Sequence, residues 1–279
     1  MTLLTVDGVG FVYPDGTRAL DGVDLDIGVG EAVAIIGQNG SGKTTLARQL
    51  DGLLRPTEGR VLHDGVDTTG RRTAQMAAVV GMAFQDADRQ IFARRIRDEV
   101  AFGPRVLGRP AEAVAASVER ALELVGLREA ADQNPYDLGY SRRKLLALAS
   151  IHAMGTPVVV LDEPTTGQDA SGIRRVGQVI ADLLSQGRTV IGISHDMRFV
   201  AETFRRIVVM RAGRVVLDGS PEQIFGEPAW STLASTFLEP PLPARIGARL
   251  GLGSTPTEAA LIEALGSRKR ERRPGVSEP

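Results

Sequence analysis

The sequence predicts an α/β protein, with an antiparallel β subdomain in front of a parallel core and a helical insertion within it. Three observations carry this. "EAVAIIG", "PVVVLDEP" and "TVIGIS" are short apolar runs, the pattern of strands buried on both faces of a parallel sheet. Helical patterns alternate with them, as in a layered α/β core. Residues 1 to about 30 instead alternate apolar and polar side chains between glycines, as in "LLTVDGVGFVYPDG" and "ALDGVDLDIGVGE", which predicts antiparallel strands.

The elements follow in order. After "EAVAIIG" come a glycine-rich loop and the helix-like "KTTLARQLDGLL", and then "GRVLHDGVDTT", which reads as an edge hairpin. From about 86 to 155 the chain becomes rich in Ala and Arg and carries the helical stripe "AEAVAASVERALELVGL". Beyond "PVVVLDEP" lie a helix at about 171 to 186, the strand of "TVIGISHD", another helix and the hairpin "IVVMRAGRVVLDG". The chain after about 226 differs, with the proline cluster "EPPLP" and the segment "STPTEAALIEALGSRKRERR". There Thr255, Pro256 and Glu258 fit the N-cap, N1 and N3 positions of a capping box, predicting a short helix. The basic run Arg268 to Arg273 reads as a solvated, frayed tail.

Composition narrows the class. Hydrophobic residues at 43% support a substantial core. The 33 basic and 34 acidic residues nearly cancel, which removes the strong positive field of a general nucleic-acid binder. Cysteine is missing from the sequence, so neither a disulfide framework nor thiolate chemistry is available, in keeping with a reducing compartment. "MTLLTVDGVG" lacks the basic-then-apolar pattern of a secretory signal. No apolar stretch reaches the roughly 18 to 20 residues that span a bilayer. A soluble chain is expected, with a membrane partner still allowed.

The strongest chemical signal is "GQNGSGKTT": Gly37, Gln38, Asn39, Gly40, Ser41, Gly42, Lys43, Thr44 and Thr45. It satisfies the phosphate-loop pattern G-x-x-x-x-G-K-S/T between a buried strand and a helix. Glycines let the backbone wrap a phosphate chain, N–H groups point inward, and the helix N-terminus adds partial positive charge. Lys43 would reach the β- and γ-phosphates and the Thr44 hydroxyl would ligate Mg²⁺. In "VVVLDEP", Asp162 at a strand end suits Mg²⁺, which prefers carboxylates and keeps several waters. Glu163 beside it would polarise an attacking water. His195 in "ISHD" follows another predicted strand. If that strand neighbours the other two, its ring reaches the same carboxyl edge of the sheet and a γ-phosphate there. His63 and His152 read as packed or surface residues.

With these residues in order, the sequence resembles the ATP-binding cassette (ABC) ATPases. "GQNGSGKT", "FQD", "VVVLDEP", "TTGQD" and "SHD" follow that family's pattern over about residues 2 to 226. The resemblance implies a P-loop NTPase (RecA-like) core and ATP and Mg²⁺ as ligands. It also implies that Tyr13 of "FVYPDG" stacks on adenine. Gln85 would link Mg²⁺ and the attacking water to a transmembrane partner, Asp169 would belong to a dimer-contact loop, and His195 would act as a switch. It implies an ATPase domain at residues 1–226, with a helical subdomain at about 86–155, and a C-terminal extension at 227–279.

"GMAFQDADRQIFARRIRDEVAFGPRVLG", with its second glutamine Gln90, looks like the ATPases of energy-coupling factor (ECF) importers for vitamins or metal ions. The tail "PARIGARLGLGSTPTEAALIEAL" resembles their C-terminal extension, which helps the ATPases dimerise. The implied partners are an ECF-type transmembrane coupling subunit, a substrate-binding membrane subunit and a second ABC ATPase, identical or sibling. Nucleic acid is not among them. The implied location is peripheral, on the cytoplasmic face of the cell membrane.

One segment departs from the family. The signature loop L-S-G-G-Q, counted back from Asp162, falls on Leu138, Gly139, Tyr140, Ser141 and Arg142. Gly139 replaces the serine that contacts a γ-phosphate across the dimer, and bulky Tyr140 replaces a glycine. Either the loop still closes over the opposite nucleotide, using Ser141 or backbone donors at the helix start, or it is degenerate in an asymmetric pair. Tyr140, where glycine would allow close approach, favours the second. A weakly hydrolysing regulatory subunit and a soluble cassette acting outside transport are the remaining alternatives.

Overall fold

The structure is a computed structural model that describes residues 1–271. The basic run expected to fray is instead helical as far as Glu271, with Arg268 donating to the Leu250 carbonyl at 2.5 Å; Arg272 and Arg273 lie outside the described residues. β1 (Thr2–Val12) and β2 (Arg18–Gly28) form the antiparallel hairpin expected from their alternating pattern. β3 (Ala32–Ile36) is buried along its whole length, and the phosphate loop leads from it into α1 (Lys43–Leu50). β4 (Glu58–His63) and the short β5 (Val66–Asp67) return to the first sheet, whose order is β2-β1-β4-β5. α2 (Thr73–Ala77) then leads to β6 (Val80–Ala83).

The insertion contains α3 (Ile96–Val106), α4 (Ala111–Val125) and α5 (Tyr140–Met154). β7 (Val158–Asp162), α6 (Ala170–Ser185), β8 (Thr189–Ile193) and α7 (Met197–Thr203) follow, and then the hairpin of β9 (Arg206–Arg211) and β10 (Arg214–Gly219). The core sheet runs β10-β9-β3-β8-β7-β6, parallel except at the β9–β10 edge. β8 thus lies between β3 and β7, so the phosphate loop, Asp162 and the segment holding His195 all leave the sheet at one carboxyl edge.

Two hydrophobic clusters divide along this sheet. One joins the first sheet and α1 to one face of the core strands, through Leu20, Ile27, Leu46 and Ile191. The other joins the opposite face to the insertion and to α6, through Ile96, Leu122, Leu146, Leu161 and Val179. α5 packs on α3 and α4 and also on α6, β6 and β7, so its position is tied to the strand that carries the acidic pair.

The C-terminal part folds back as α8 (Pro221–Ile224), α9 (Trp230–Ala234), α10 (Leu242–Arg249) and α11 (Glu258–Glu271). A helix forms where the capping box predicts one, but its cap is displaced. Thr257 Oγ1 accepts the N–H of Ala260 at 3.2 Å, while Thr255 is buried and donates its hydroxyl to the carbonyl of Pro243 at 2.8 Å. The tertiary bond to α10 takes the hydroxyl that local preference assigns to a cap. Among the described residues no helix is long and apolar enough to cross a membrane.

Candidate functional site

The loop after β3 is built around the ammonium of Lys43. This side chain is buried, and Nζ donates to the carbonyls of Gly37 at 2.8 Å and Gln38 at 2.9 Å. Burial holds its pKa below the usual lysine value, against the pull of the Glu163 and Asp162 carboxylates. Gly42, just before α1, has φ +102°, and a Cβ there would come 2.6 Å from the Ala19 carbonyl oxygen. Only glycine fits that turn. Ser41 is fully buried, and its carbonyl accepts the N–H of Gly213 at 3.0 Å, which anchors the loop to the β9–β10 turn.

Tyr13, just past β1, lies over the same loop. Its hydroxyl is 3.1 Å from Thr45 Oγ1, and its ring packs edge-on against Phe11 with centroids 4.9 Å apart. Tyr13, Lys43, Thr44, Gln85, Asp162 and Glu163 all line one cleft of about 290 Å³. A neighbouring groove of about 540 Å³ shares Thr44, Gln85 and Asp162 and runs outward past Leu53, Phe84 and Arg89.

The acidic edge is assembled from three strand ends. Thr44 Oγ1 donates to Asp162 Oδ2 at 3.4 Å. Burial raises the Asp162 pKa, and the neighbouring Glu163 raises it further. These two oxygens fit Mg²⁺, which binds through one or two carboxylates plus substrate phosphates and keeps part of its water. Glu163 adopts a left-handed backbone with φ +51°, a conformation that costs a non-glycine residue energy. Its N–H donates to the Ile193 carbonyl at 2.9 Å. Its Oε2 lies 2.7 Å from His195 Nδ1 and accepts from Thr166 Oγ1 at 3.4 Å. His195 is thus joined to an acid that lines the cleft.

The five signature positions straddle the start of α5, with Tyr140, Ser141 and Arg142 in its first turn, and do not line that cleft. Leu138 is buried, Gly139 is the N-cap residue, and Arg142 is exposed. Tyr140 packs its ring edge on Gly167. Ser141 Oγ donates to Gln168 Oε1 at 2.6 Å, and Gln168 Nε2 returns a bond to the Ser141 carbonyl at 2.9 Å. Asp169 caps α6, accepting the N–H of Gly172 at 2.7 Å.

Several partners escape a reading of the sequence. Gln168 clasps Ser141, and Gln90 links the Phe84 N–H at 3.2 Å to the Ala147 carbonyl at 3.5 Å. Lys144 turns inward, and its ammonium donates to the main-chain carbonyl of Glu163. One signal for Lys144 is visible in the sequence: it heads the apolar run "KLLALAS", where a lone charge on a buried face calls for a partner. His152, read as packed or surface, is buried with Nε2 2.6 Å from Asp182 Oδ2.

A family model described as ABC transporter matches residues 20–166. The energy-coupling factor transporter ATP-binding protein EcfA of Methanocaldococcus jannaschii is 38% identical over 219 residues, covering 78% of this chain and 78% of the relative. A provisionally named ABC transporter ATP-binding protein of Methanosarcina acetivorans is 43% identical over 234 residues, 84% of this chain and 38% of the relative. The chain spans about two fifths of the length of the curated relatives it first matches, at 38%, 43% and 39%. Among solved structures, CbiO1 from Clostridium perfringens, part of the ABC transporter complex cbiONQ, superposes with a TM-score of 0.75 at 31% identity. That match covers 90% of this chain and 99% of CbiO1. The dimeric ATP-binding cassette MJ0796, solved with ADP and Pi, gives a TM-score of 0.72 at 25% identity, over 78% of this chain and 98% of its own. The fold is therefore that of the P-loop ATPase cassettes.

Proposed function

Because the chain belongs to the ABC transporter family, we propose that it is the ATP-binding and hydrolysing subunit that energises an ECF-type membrane importer through nucleotide-driven dimer closure. The observation that carries this reading is one cleft lined by Lys43, Thr44, Gln85, Asp162 and Glu163, with His195 on the Glu163 carboxylate. Similarity to EcfA and CbiO1 supports the ECF branch.

In this reading the donors of Lys43, held by the Gly37 and Gln38 carbonyls, turn to the β- and γ-phosphates of ATP, and Tyr13 faces adenine. Thr44 and Asp162 would hold Mg²⁺, with Gln85 beside them. Bound Mg²⁺ supplies neutralisation of the phosphate charge. Glu163 orients a water for in-line attack on the γ-phosphorus and takes its proton. The bond from phosphorus to the bridging oxygen breaks, giving ADP and phosphate. His195 keeps the Glu163 carboxylate aimed. Most of the catalysis is positioning and charge stabilisation, as in phosphoryl transfer generally.

Closure brings a second cassette over the nucleotide. The C-terminal extension, 227–279, offers apolar side chains for that pairing, with Phe237 82% and Ile262 69% exposed. The chain then sits at the cytoplasmic face of the membrane, and the groove beyond Gln85 receives the transmembrane coupling subunit, which also carries a substrate-binding subunit. A second reading is favoured by the Ser141–Gln168 clasp: the composite site closed by this signature segment turns over slowly, in a pair with a sibling ATPase.

Affinity purification of the tagged chain from membranes, followed by ATPase assay, tests the proposal. Integral membrane subunits should co-purify, and ATP hydrolysis should collapse with Glu163→Gln while nucleotide binding persists. Recovery of ribosomes or DNA in place of membrane subunits, or undiminished hydrolysis by Glu163→Gln, would remove it.

A further inference from the structure

Lys144 is the fifth residue of α5 and almost wholly buried, at 6% exposure. A charged side chain so placed needs an acceptor that takes up its ammonium hydrogens. Its partner is not a carboxylate but the main-chain carbonyl of Glu163. That peptide follows Glu163, whose left-handed φ of +51° costs a non-glycine residue energy and persists only where the surroundings hold it. On its other side the Glu163 N–H is held by the Ile193 carbonyl at 2.9 Å. The backbone of the acid is thus clamped twice: by β8 through its N–H and by α5 through its carbonyl. The side chain leaves this clamp toward His195 and Thr166.

α5 is also the helix that begins with the signature positions, and it is braced to the stretch after Glu163 at two further points. These are the Tyr140 ring on Gly167 and the reciprocal Ser141–Gln168 pair. Movement of the start of α5 therefore reaches the Glu163 peptide through Lys144 without passing through the nucleotide held by Lys43.

From this geometry we infer that Lys144 is a positioning residue for Glu163, setting the direction of its carboxylate and passing to it the position of the signature helix. The inference rests on the proposal that Glu163 activates the attacking water. Lys144 touches neither ATP nor water in this scheme and acts only through the acid.

The test is a double-mutant cycle in the full-length chain, purified with its co-isolating subunits. It measures kcat, KM for ATP, binding of a fluorescent ATP analogue with Mg²⁺, and Tm. Lys144→Met should lower kcat roughly 10- to 100-fold, the loss expected of a misplaced catalytic group, with KM and analogue binding within about twofold. In a Glu163→Gln background the same change should alter the residual rate less than about twofold, because its route of action is already gone. Lys144→Gln, which keeps a donor, should recover part of the rate, and it replaces Lys144→Met in the cycle if the latter does not fold.

Equal loss in both backgrounds, or a fall in nucleotide binding matching the fall in kcat, would show a merely structural role and overturn the inference. Wild-type kcat in Lys144→Met would also overturn it. If Glu163→Gln itself hydrolyses ATP at the wild-type rate, the assignment of the acid fails. A slow Glu163→Gln beside a fully active Lys144→Met removes only the role of Lys144.

Discussion

His195 Nδ1 stands 2.7 Å from Glu163 Oε2, which joins the segment after β8 to the acid that follows β7. The imidazole is largely exposed, at 65% for its side chain, whereas the acid is at 12%. The ring therefore covers one carboxylate oxygen, and in the proposed reaction the other faces the attacking water. His195→Ala should lower kcat by roughly one to two orders of magnitude with little change in ATP affinity, since general-base positioning contributes on that scale or more. Single-turnover hydrolysis beside equilibrium nucleotide binding checks this. A variant that binds ATP weakly but hydrolyses bound ATP normally would assign His195 to binding instead.

Asp162 gives a prediction with two opposed signs. Burial and the adjacent Glu163 raise its pKa, so its charge is unfavourable in the nucleotide-free fold. Asp162→Asn removes that charge and should raise the Tm of the free protein at neutral pH. The same change takes away the carboxylate paired with Thr44, so the gain in ATP affinity on adding Mg²⁺ should fall about tenfold or more. Thermal shift with ATP, with and without Mg²⁺, reads both effects. EDTA should reduce the wild-type shift but scarcely alter that of the variant.

Asp51, just past α1, contributes a pH dependence to stability. It is 7% exposed, and burial raises its carboxyl pKa from 3.8 to about 6, although the Leu53 N–H donates to it at 2.9 Å. The folded protein thus keeps this proton between about pH 4 and 6, where the unfolded chain has lost it. Stability from this group falls as pH rises through that window and stays lower above it. Asp51→Asn keeps an acceptor for Leu53 and should stabilise the protein by about 1–3 kcal/mol at pH 7. The advantage should vanish near pH 4. Urea titrations at the two pH values measure it, and an equal gain at both would mean that charge is not its source.

The phosphate loop and the acidic pair are legible in the sequence because their geometry is local. Gly37 to Thr45 form one contiguous loop and helix start, and Asp162, followed directly by Glu163, ends a strand whose burial is written in its apolar run. The meeting of these pieces follows from parallel strand order, which the alternation of elements implies. The contacts that fix α5 are another matter. Lys144 and Glu163 are 19 residues apart, Ser141 and Gln168 are 27 apart, and His152 and Asp182 are 30 apart. Each pair depends on how α5 lies against β7 and α6, and no local preference encodes that. Thr255 shows the same competition, where a nearby helix carbonyl outbids the local cap.

Ser141 is where the two readings of the signature segment part. To grip a phosphate oxygen its hydroxyl must donate, and here it donates to Gln168 Oε1 at 2.6 Å while Gln168 Nε2 holds the Ser141 carbonyl at 2.9 Å. Breaking that pair to reach a nucleotide on a second subunit would leave the Gln168 amide oxygen without its donor, a loss of the order of 1 kcal/mol or more. Ser141→Ala should therefore change hydrolysis by less than about threefold, and Gln168→Ala should lower stability by about 1–2 kcal/mol. If cross-subunit contact is made instead by backbone N–H groups at the start of α5, both variants will still form nucleotide-dependent dimers. Size-exclusion chromatography with ATP in the Glu163→Gln background, set beside steady-state ATPase, distinguishes the cases. A Ser141→Ala protein of normal Tm that neither dimerises with ATP nor hydrolyses it would show that the hydroxyl leaves Gln168 for the opposite γ-phosphate.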